Sequence, residues 1–311
     1  MNLTERITYH LLHSLLWCLS LLPLRAMYVI SDAVAWILRR VACYRLRVVR
    51  DNLESSFPEK SERELRDIER RFYGFLADYF FETVKMLTMS RRQMMRRLTV
   101  ENIEMVDDAV ARGRSVTLLL GHYCNWEWVS SLPMRFTPGT VGAQVYHYLH
   151  NKAMDRIFMK IRTRFDSHNI EMNDIMRFLI DHKRRGVPTV TGFIADQCPK
   201  YDIHLFVDFL SHDTGVYTGP ERIARFLDSE VLFCHMRRDR RGHYVLRFVP
   251  VTLEPKREAT FDITRAYIDL LEKNIREAPQ YWLWSHRRWK RTRADFYEHW
   301  GEHADKMLSH L

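Results

Sequence analysis

Apolar and amphipathic stretches alternate along most of the chain, which predicts strands and helices in alternation. Val116–Leu120 is apolar throughout and stops at Gly121, as expected of a buried strand with a sharp exit. Strands are predicted at 116–120, 141–146, 187–195, 231–235 and 244–251, and helices at 103–112, 153–165, 174–185, 218–228 and 261–278. This alternation predicts an α/β fold with a central sheet covered by helices.

The N-terminal region is predicted to associate with a membrane. Residues 7–24 contain no Lys, Arg, Asp or Glu and are just long enough for a membrane span, although two histidines and a proline make it a mediocre one. A second apolar stretch, 26–38, is followed by clustered arginines, which mark the cytoplasmic side. No signal-peptide cleavage site follows. We predict a retained membrane anchor and basic juxtamembrane segment at 1–45 and a single cytoplasmic-face domain at 46–311.

The segment after the arginines is predicted to begin with a turn at 52–58, followed by one or two helices at 59–88. Within those helices, aromatic residues such as Phe72, Phe75 and Tyr79 recur at helical spacing. The simplest interpretation of this stripe is packing in the core.

The charge balance indicates an anionic partner. The 311-residue chain has 48 Lys and Arg against 39 Asp and Glu, so its net charge is +9. Nucleic acid, an acidic carrier protein and a phosphate-bearing membrane surface all fit this charge. The arginine runs are spread through the sequence, which has no zinc knuckle, aromatic RNA-binding signature or helix-turn-helix pattern. We therefore expect no nucleic-acid partner.

Five cysteines are widely spaced and form no CxxC pair, so neither a disulfide scaffold nor a thiol zinc site is indicated. Free thiols fit a reducing compartment. Cys124 lies beside the candidate site, but free cysteine packs as a small hydrophobic residue. We expect it to be buried rather than nucleophilic.

The candidate catalytic residues are His122 and Glu127, which follow the apolar run. In one continuous helix they would lie about 140° apart, but across a strand-to-helix turn they can meet. Glu127 could then hold one imidazole nitrogen while the other takes a proton from a substrate hydroxyl, the layout for acyl transfer to an alcohol. Spacing alone favours the simpler interpretation, a capped turn with an incidental surface histidine.

Several neighbouring residues have competing interpretations. Asn125 is expected to cap a helix rather than contact substrate. Trp126 and Trp128 are expected to pack that helix onto the sheet. Asp196 ends a predicted strand, where α/β folds place ligands, so a role in the cleft is plausible, although not as a metal ligand.

Near the end of the chain, tryptophans are interleaved with cations. Tryptophan favours the headgroup layer of a membrane and arginine pairs with phosphate, so Arg287, Arg288 and Lys290 are predicted to contact a phosphorylated ligand or anionic lipid. The alternative is a solvated basic helix end, which the three tryptophans of this block make the weaker interpretation.

Five motifs occur in a fixed order: an Asn-Leu…Phe-Pro segment at 50–73, GHYCNWEW at 121–128, Asp196-Gln197, TGPERIA at 218–224 and the tryptophan-rich basic block at 278–293. In this order they resemble the bacterial lipid A biosynthesis acyltransferases, which add secondary acyl chains and lie within the wider lysophospholipid acyltransferase superfamily. The likeness covers nearly the whole chain.

The resemblance implies transfer of a fatty acyl group from acyl carrier protein to a hydroxyl of a lipid A precursor or another phosphorylated glycolipid, in lipopolysaccharide biosynthesis. His122 is then the general base, Glu127 fixes its tautomer, and Arg164 is a candidate to stabilise the oxyanion. For Arg164, a surface ion pair is an equally good interpretation. The resemblance also implies a central mixed β-sheet of the glycerolipid acyltransferase type, no metal or cofactor, and a place at the cell inner membrane.

The chain departs from the family pattern in places. Glu127 stands where many superfamily relatives have Asp. The sequence Arg164-Phe165-Asp166 lacks the Gly of an Arg-x-Gly, and Tyr146-His147 replaces Tyr-Arg. The last two changes fall where acceptor or chain contacts are expected. Two alternatives therefore remain, namely an acyltransferase for another lipid, such as a lysophospholipid or aminolipid, and a non-catalytic membrane-bound relative.

Overall fold

The computed structural model describes residues 3–308, which contain twelve α-helices and nine strands, with five of the helices before the first strand. The strands are β1 (Leu98–Glu101), β2 (Val116–Leu120), β3 (Val141–Tyr146), β4 (His168–Glu171), β5 (Thr189–Ile194), β6 (Leu205–Phe209), β7 (His212–Val216), β8 (Glu230–Arg240) and β9 (His243–Thr252). The helices are α1 (Leu3–Leu21), α2 (Leu24–Arg40), α3 (Leu46–Ser56), α4 (Glu62–Lys85), α5 (Arg91–Arg97), α6 (Glu104–Ala111), α7 (Lys152–Arg162), α8 (Ile175–Arg184), α9 (Gly219–Leu227), α10 (Asp262–Glu277), α11 (Arg293–Trp300) and α12 (Ala304–Leu308). Short 3₁₀ segments occupy Trp126–Arg135, Pro279–Tyr281 and Gly301–His303.

The main sheet has seven strands in the order β1-β9-β8-β2-β5-β3-β4. Its strands pair in parallel except for β8 and β9, which form an antiparallel hairpin. The predicted α/β fold with a central mixed sheet is therefore confirmed. A separate antiparallel hairpin, β6–β7, lies outside this sheet.

Strand β2 lies at the centre of the sheet, and all five of its residues are buried. It pairs in parallel with β5, in a register that sets Leu120 opposite Ile194. The carboxyl ends of the two strands therefore lie side by side, at the edge where open α/β sheets bind their ligands. This register determines which side chains meet at the site described below.

The predicted strands are confirmed, and β2 and β3 have the predicted bounds. The pattern did not predict β1 and β4, which have four residues each, or the β6–β7 hairpin. Strands this short carry too few apolar positions for a periodic signal.

In the region before the sheet, one expectation is wrong and one is confirmed. The turn predicted at 52–58 is wrong for most of its length, because α3 continues to Ser56 and ends just before Pro58. Residues 59–88 contain one helix, α4, whose start is fixed by a reciprocal bond between Ser61 and Glu64.

Among residues 3–308, no single helix is long and apolar enough to cross a membrane. Taken together, α1 and α2 meet that requirement by length and composition, but the chain bends by 118° between them. The predicted anchor therefore stays a prediction. Both helices do expose large apolar side chains. These include Leu3, Ile7, Leu11, Leu15, Trp17 and Leu21 on α1, and Val29, Ile30, Trp36 and Ile37 on α2.

Helix α2 is joined to α4 by buried hydrogen bonds. The Tyr28 hydroxyl donates to Glu82 Oε1 at 2.9 Å, and the Ser31 hydroxyl donates to Asp78 Oδ1 at 2.7 Å. Arg241, at the turn between β8 and β9, donates to Asp78 and to Asp32 of α2. These bonds cross the predicted domain boundary at residue 45, so α2 packs as part of the same body as α4.

Gly242, at this junction, allows a test of how much the packing of α2 contributes to the free energy of unfolding. Gly242 has φ +70°, and a Cβ there would collide with the Tyr28 hydroxyl, whereas Gly113, with φ +73°, has open space around it. Either Gly→Ala change should cost about 1–2 kcal/mol through its left-handed backbone. Gly242→Ala should cost about 1–3 kcal/mol more, because it separates Tyr28 from buried Glu82. Denaturant unfolding measures both, and equal losses would contradict this account of the α2 junction.

Candidate active site

The site is built around a bond between His122, just after β2, and Asp196, just after β5. Asp196 Oδ1 lies 2.6 Å from His122 Nδ1, and Asp196 Oδ2 accepts the His122 backbone N–H at 2.8 Å. The Trp282 indole donates to the same Oδ2 at 2.8 Å. Asp196 is 2% exposed, so these three donors stabilise a carboxylate that water cannot reach.

The electrostatics of this pair fix the histidine tautomer. Burial raises the pKa of Asp196, but the charge of His122 and the bonds from His122 and Trp282 outweigh it, so the pKa of Asp196 lies below its ordinary value. An ionised carboxylate beside Nδ1 requires a proton on that nitrogen. Nε2 is therefore left as a proton acceptor, 3.3 Å from the amide nitrogen of Gln197.

Glycine is required at position 121 because the site leaves no room for a Cβ atom there. The φ of Gly121 is not positive, so the backbone at the strand exit does not itself require glycine. A Cβ at this position would lie 2.6 Å from Leu271 Cδ1 and 3.2 Å from Asp196 Oδ2. The left-handed residue of the turn is instead Cys124, with φ 52°. Gly121 thus lets the strand end approach Asp196 closely.

The structure does not pair Glu127 with His122 as the sequence suggested. Both Glu127 oxygens accept from Arg162, at 2.7 Å from Nε and 2.6 Å from Nη2, and the Tyr79 hydroxyl donates to Oε1 at 3.3 Å. Trp126 links the two groups, since it stacks on Tyr79 and meets the His122 ring edge-on. The carboxylate that holds the imidazole is therefore Asp196, and Glu127 holds an arginine.

The lining of a cavity of about 440 Å³ includes four polar side chains that the contacts above bring together, namely His122, Glu127, Arg162 and Gln197. The rest of its wall is mostly apolar and comes from β2, β3, β5 and the 3₁₀ segment, including Leu118, Leu132, Phe136, Val145, Val190 and Phe193. A proton-accepting imidazole thus stands at the polar end of an apolar chamber. Such a site can take a proton from a hydroxyl that attacks the polar end of an apolar ligand.

Arg164 does not reach this cavity. Its side chain is exposed and donates to the Met89 carbonyl at 3.0 Å. Arg162, two residues earlier, lines the cavity together with His122 and Glu127, as had been expected of Arg164. The sequence offered no basis for ranking the arginines of α7 and its end, because only the orientation of the helix on the sheet distinguishes them.

The expected cap at Asn125 is also absent, because Asn125 makes no capping bond to the 3₁₀ segment that follows it. Its amide instead donates to Glu82 Oε2 at 2.8 Å, and both residues are buried. Glu82 also accepts from Tyr244 at 2.7 Å and from Tyr28. A buried carboxylate of α4 therefore fixes the turn that carries His122 and Glu127.

The packing expectations for this turn are confirmed for Cys124 and for Trp128, which meets Tyr244 of β9, whereas Trp126 stacks on Tyr79 of α4. Cys124 is fully buried, and burial raises the pKa of its thiol well above the ordinary value, which leaves it protonated. Trp128 is also fully buried. Trp126 is 7% exposed, and it lines the cavity as well as packing against Tyr79.

The tryptophan-rich block lies behind the catalytic turn, in contrast to the predicted surface. Trp282 and Trp284 are buried, and Arg288, 2% exposed, donates to the Gly215 carbonyl of β7. This burial excludes Arg288 from contact with a headgroup at the surface, whereas Arg287 and Lys290 are exposed. The backbone of the block bonds to the turn on both sides of Tyr123. It thus supports the position of His122.

His286, in the same block, is a neutral acceptor. Burial lowers its pKa to about 4, and its Nε2 accepts the Cys198 backbone N–H at 3.2 Å. This bond holds the segment just after Asp196 and Gln197 in place. Sequence reasoning gave Gln197 and His286 only as members of motifs and did not single out Tyr79 for the site, because each reaches the site from a distant stretch of chain.

Comparison with known proteins identifies the family of this chain. Residues 1–291 match the family described as bacterial lipid A biosynthesis acyltransferase. The chain is also similar to the lipid A biosynthesis lauroyltransferase of Escherichia coli (strain K12), with 24% identity over 278 residues that cover 88% of this chain and 89% of the relative. Because the family match spans nearly the whole chain, the protein belongs to the bacterial lipid A biosynthesis acyltransferases and is an acyltransferase.

Proposed function

We propose that this protein transfers a fatty acyl group from acyl carrier protein to a hydroxyl of a lipid A precursor, with His122 as the general base. The observation that supports this most strongly is the orientation of His122. Its Nδ1 lies against buried Asp196, so its Nε2 faces the cavity as a proton acceptor. Family membership supports the reaction class.

The proposed reaction needs no covalent enzyme intermediate. His122 Nε2 takes the proton of the acceptor hydroxyl as the hydroxyl oxygen attacks the thioester carbonyl. The tetrahedral intermediate then collapses, the C–S bond breaks, and the imidazolium returns the proton to the leaving thiolate. Asp196 stabilises the transient imidazolium, and general-base assistance of this kind is worth about 10²–10⁴ in rate.

Glu127 assists this step through Arg162. The bidentate bond uses one side of the guanidinium, and the remaining N–H groups of Arg162 are free to stabilise the oxyanion of the tetrahedral intermediate. The Gln197 amide, beside His122 Nε2, is a second candidate donor. In this proposal Arg162 takes the oxyanion role that the sequence suggested for Arg164, and Glu127 is a positioning residue.

The apolar chamber is proposed to hold the acyl chain. Its aliphatic and aromatic walls begin at His122 and extend between β3, β5 and the 3₁₀ segment. Burying a chain there would contribute about 0.8 kcal/mol per methylene group, which would hold the thioester carbonyl at the polar end.

The acceptor lipid would be met at a membrane. We propose that the exposed apolar side chains of α1 and α2 rest on the cell inner membrane, with the catalytic body on its cytoplasmic face. Exposed Arg287 and Lys290 would then be available to a phosphate of the acceptor.

The reaction can be tested with purified protein in detergent, acyl carrier protein thioesters of several chain lengths and a tetra-acyl lipid A precursor. His122→Ala should lose most of the general-base contribution, so product formation should fall by about 10²–10⁴. His303→Ala is the matched control, because His303 is exposed and does not line the cavity, and it should retain turnover. Equal activity of His122→Ala and the unsubstituted protein would contradict the proposal.

The same assay separates the alternative acceptors. Lysophospholipid and aminolipid acceptors are offered in parallel reactions with the same thioesters. If one of these lipids is acylated and the lipid A precursor is not, that lipid class is the acceptor. The proposed role of His122 would not change. No product on any acceptor, from protein shown to be folded, would favour a non-catalytic relative.

The membrane face can be tested by flotation with vesicles containing anionic lipid. Leu11→Glu with Val29→Glu places charge on the exposed faces of α1 and α2, where the unsubstituted side chains are 68% and 71% exposed. The bound fraction should fall by about tenfold or more, because each change removes an apolar contact with lipid. Phe226→Glu with Leu253→Glu, exposed on other elements, should bind as the unsubstituted protein does. Equal binding by both variants would contradict the assignment of this face.

A further inference from the structure

A second concavity lies outside the active site, between the end of α2, the first half of α4 and the corner after α10. Its volume is about 830 Å³, and we call it the basic groove. Among the described residues that line it, eight are Lys or Arg and three are Asp or Glu. The groove therefore carries a surplus of positive charge, in a recess that differs from the evenly mixed charge of ordinary protein surfaces.

Part of this charge has no internal partner. Among residues 3–308, the side chains of Arg40, Arg63 and Lys60 make no ion pair within 4.0 Å, although Lys60 lies over the Phe57 ring and its charge acts on Glu64. Arg70 pairs with Asp67 three residues earlier on exposed helix, where such pairs contribute little. The groove is thus available to an external anionic partner.

The groove lacks the apolar side chains that a lipid-binding surface needs. None of the described residues that line the groove is a large exposed hydrophobic one, whereas the rest of α1 and α2 carries many. Membrane-surface helices combine cations with an apolar face that enters the lipid. Cations alone, in a recess, favour a soluble acidic partner over a membrane.

The groove is also close to the catalytic turn. Its floor includes Pro279 and Gln280, and the next residue, Tyr281, accepts the Cys124 backbone N–H at 3.0 Å. Along α4, Arg71 in the groove and Tyr79 beside Glu127 are eight residues apart, a distance of about 12 Å. A protein bound in the groove would therefore lie close to the active site.

We infer that the basic groove docks an acidic carrier protein, the protein that presents the acyl thioester. This inference rests on the proposed acyl transfer and adds the surface on which its donor binds. Complementary charge would speed the encounter and orient the donor, and both effects should weaken as ionic strength rises.

The test reverses two exposed charges on α4. Arg63→Glu with Arg70→Glu leaves Asp67 bonded to Arg71, and Arg177→Glu with Arg184→Glu on α8 is the matched control, with the same spacing and charge change. With acyl carrier protein as donor, the groove variant should lose roughly tenfold or more in kcat/KM at low salt, mainly through KM. With the same acyl group on pantetheine, which has no protein and no phosphate, it should match the unsubstituted protein.

Equal kcat/KM for the groove and control variants on the carrier-bound donor would overturn the inference. Loss of vesicle binding without a change in carrier KM would overturn it in favour of lipid headgroups. If the unsubstituted protein transfers no acyl group from any donor, the proposed function fails. Direct binding of the carrier protein, by calorimetry, then still tests the groove, and equal affinity of both variants would overturn it.

Discussion

The buried carboxylate of Asp196 is the constraint on which the site depends. It accepts two bonds from His122 and one from Trp282, and so joins the end of β2, the end of β5 and the C-terminal block. An ionised group with 2% exposure requires all of these donors, since an unpaired buried charge is expensive. This requirement explains why position 121 is glycine, which lets the chain approach Asp196, and why Trp282 is buried beside the carboxylate.

A second buried carboxylate connects this site to the N-terminal helices. Glu82 of α4 accepts from Asn125 in the catalytic turn, from Tyr28 of α2 and from Tyr244 of β9. Burial raises the pKa of Glu82 above its ordinary value, and the charge of Arg238 and the bonds from Tyr244 and Asn125 oppose that shift in part. Helix α2, which is proposed to rest on the membrane, is thus joined to the catalytic turn through the Glu82 side chain. The packing of α2 on α4 and the position of His122 are therefore linked. The same path explains why Asn125 is needed in the turn without being a helix cap.

Local sequence determines some of these features and not others. The bounds of β2 and β3 could be predicted because apolar residues and turn residues mark them directly. The partner of His122 could not, because Glu127 is five residues away and Asp196 is 74, and only the parallel pairing of β2 and β5 brings the distant carboxylate close. The tryptophan-rich block has the composition of an interfacial segment, yet the β6–β7 hairpin covers it, with Arg288 and Trp289 bonded to β7. Contacts between residues far apart in the sequence cannot be predicted from the residue pattern of a short segment.

The central claim is that Asp196, and not Glu127, orients His122 as the base. The most direct measurement compares kcat of Asp196→Asn and Glu127→Gln with the same thioester and acceptor, after near-UV circular dichroism has established that both are folded. Asp196→Asn should lower kcat by about 10²–10⁴, because the imidazolium loses its counter-charge. Glu127→Gln should lose less, since a glutamine oxygen still accepts from Arg162. Full activity of Asp196→Asn together with an inactive Glu127→Gln would contradict the account and return Glu127 to the role of histidine partner.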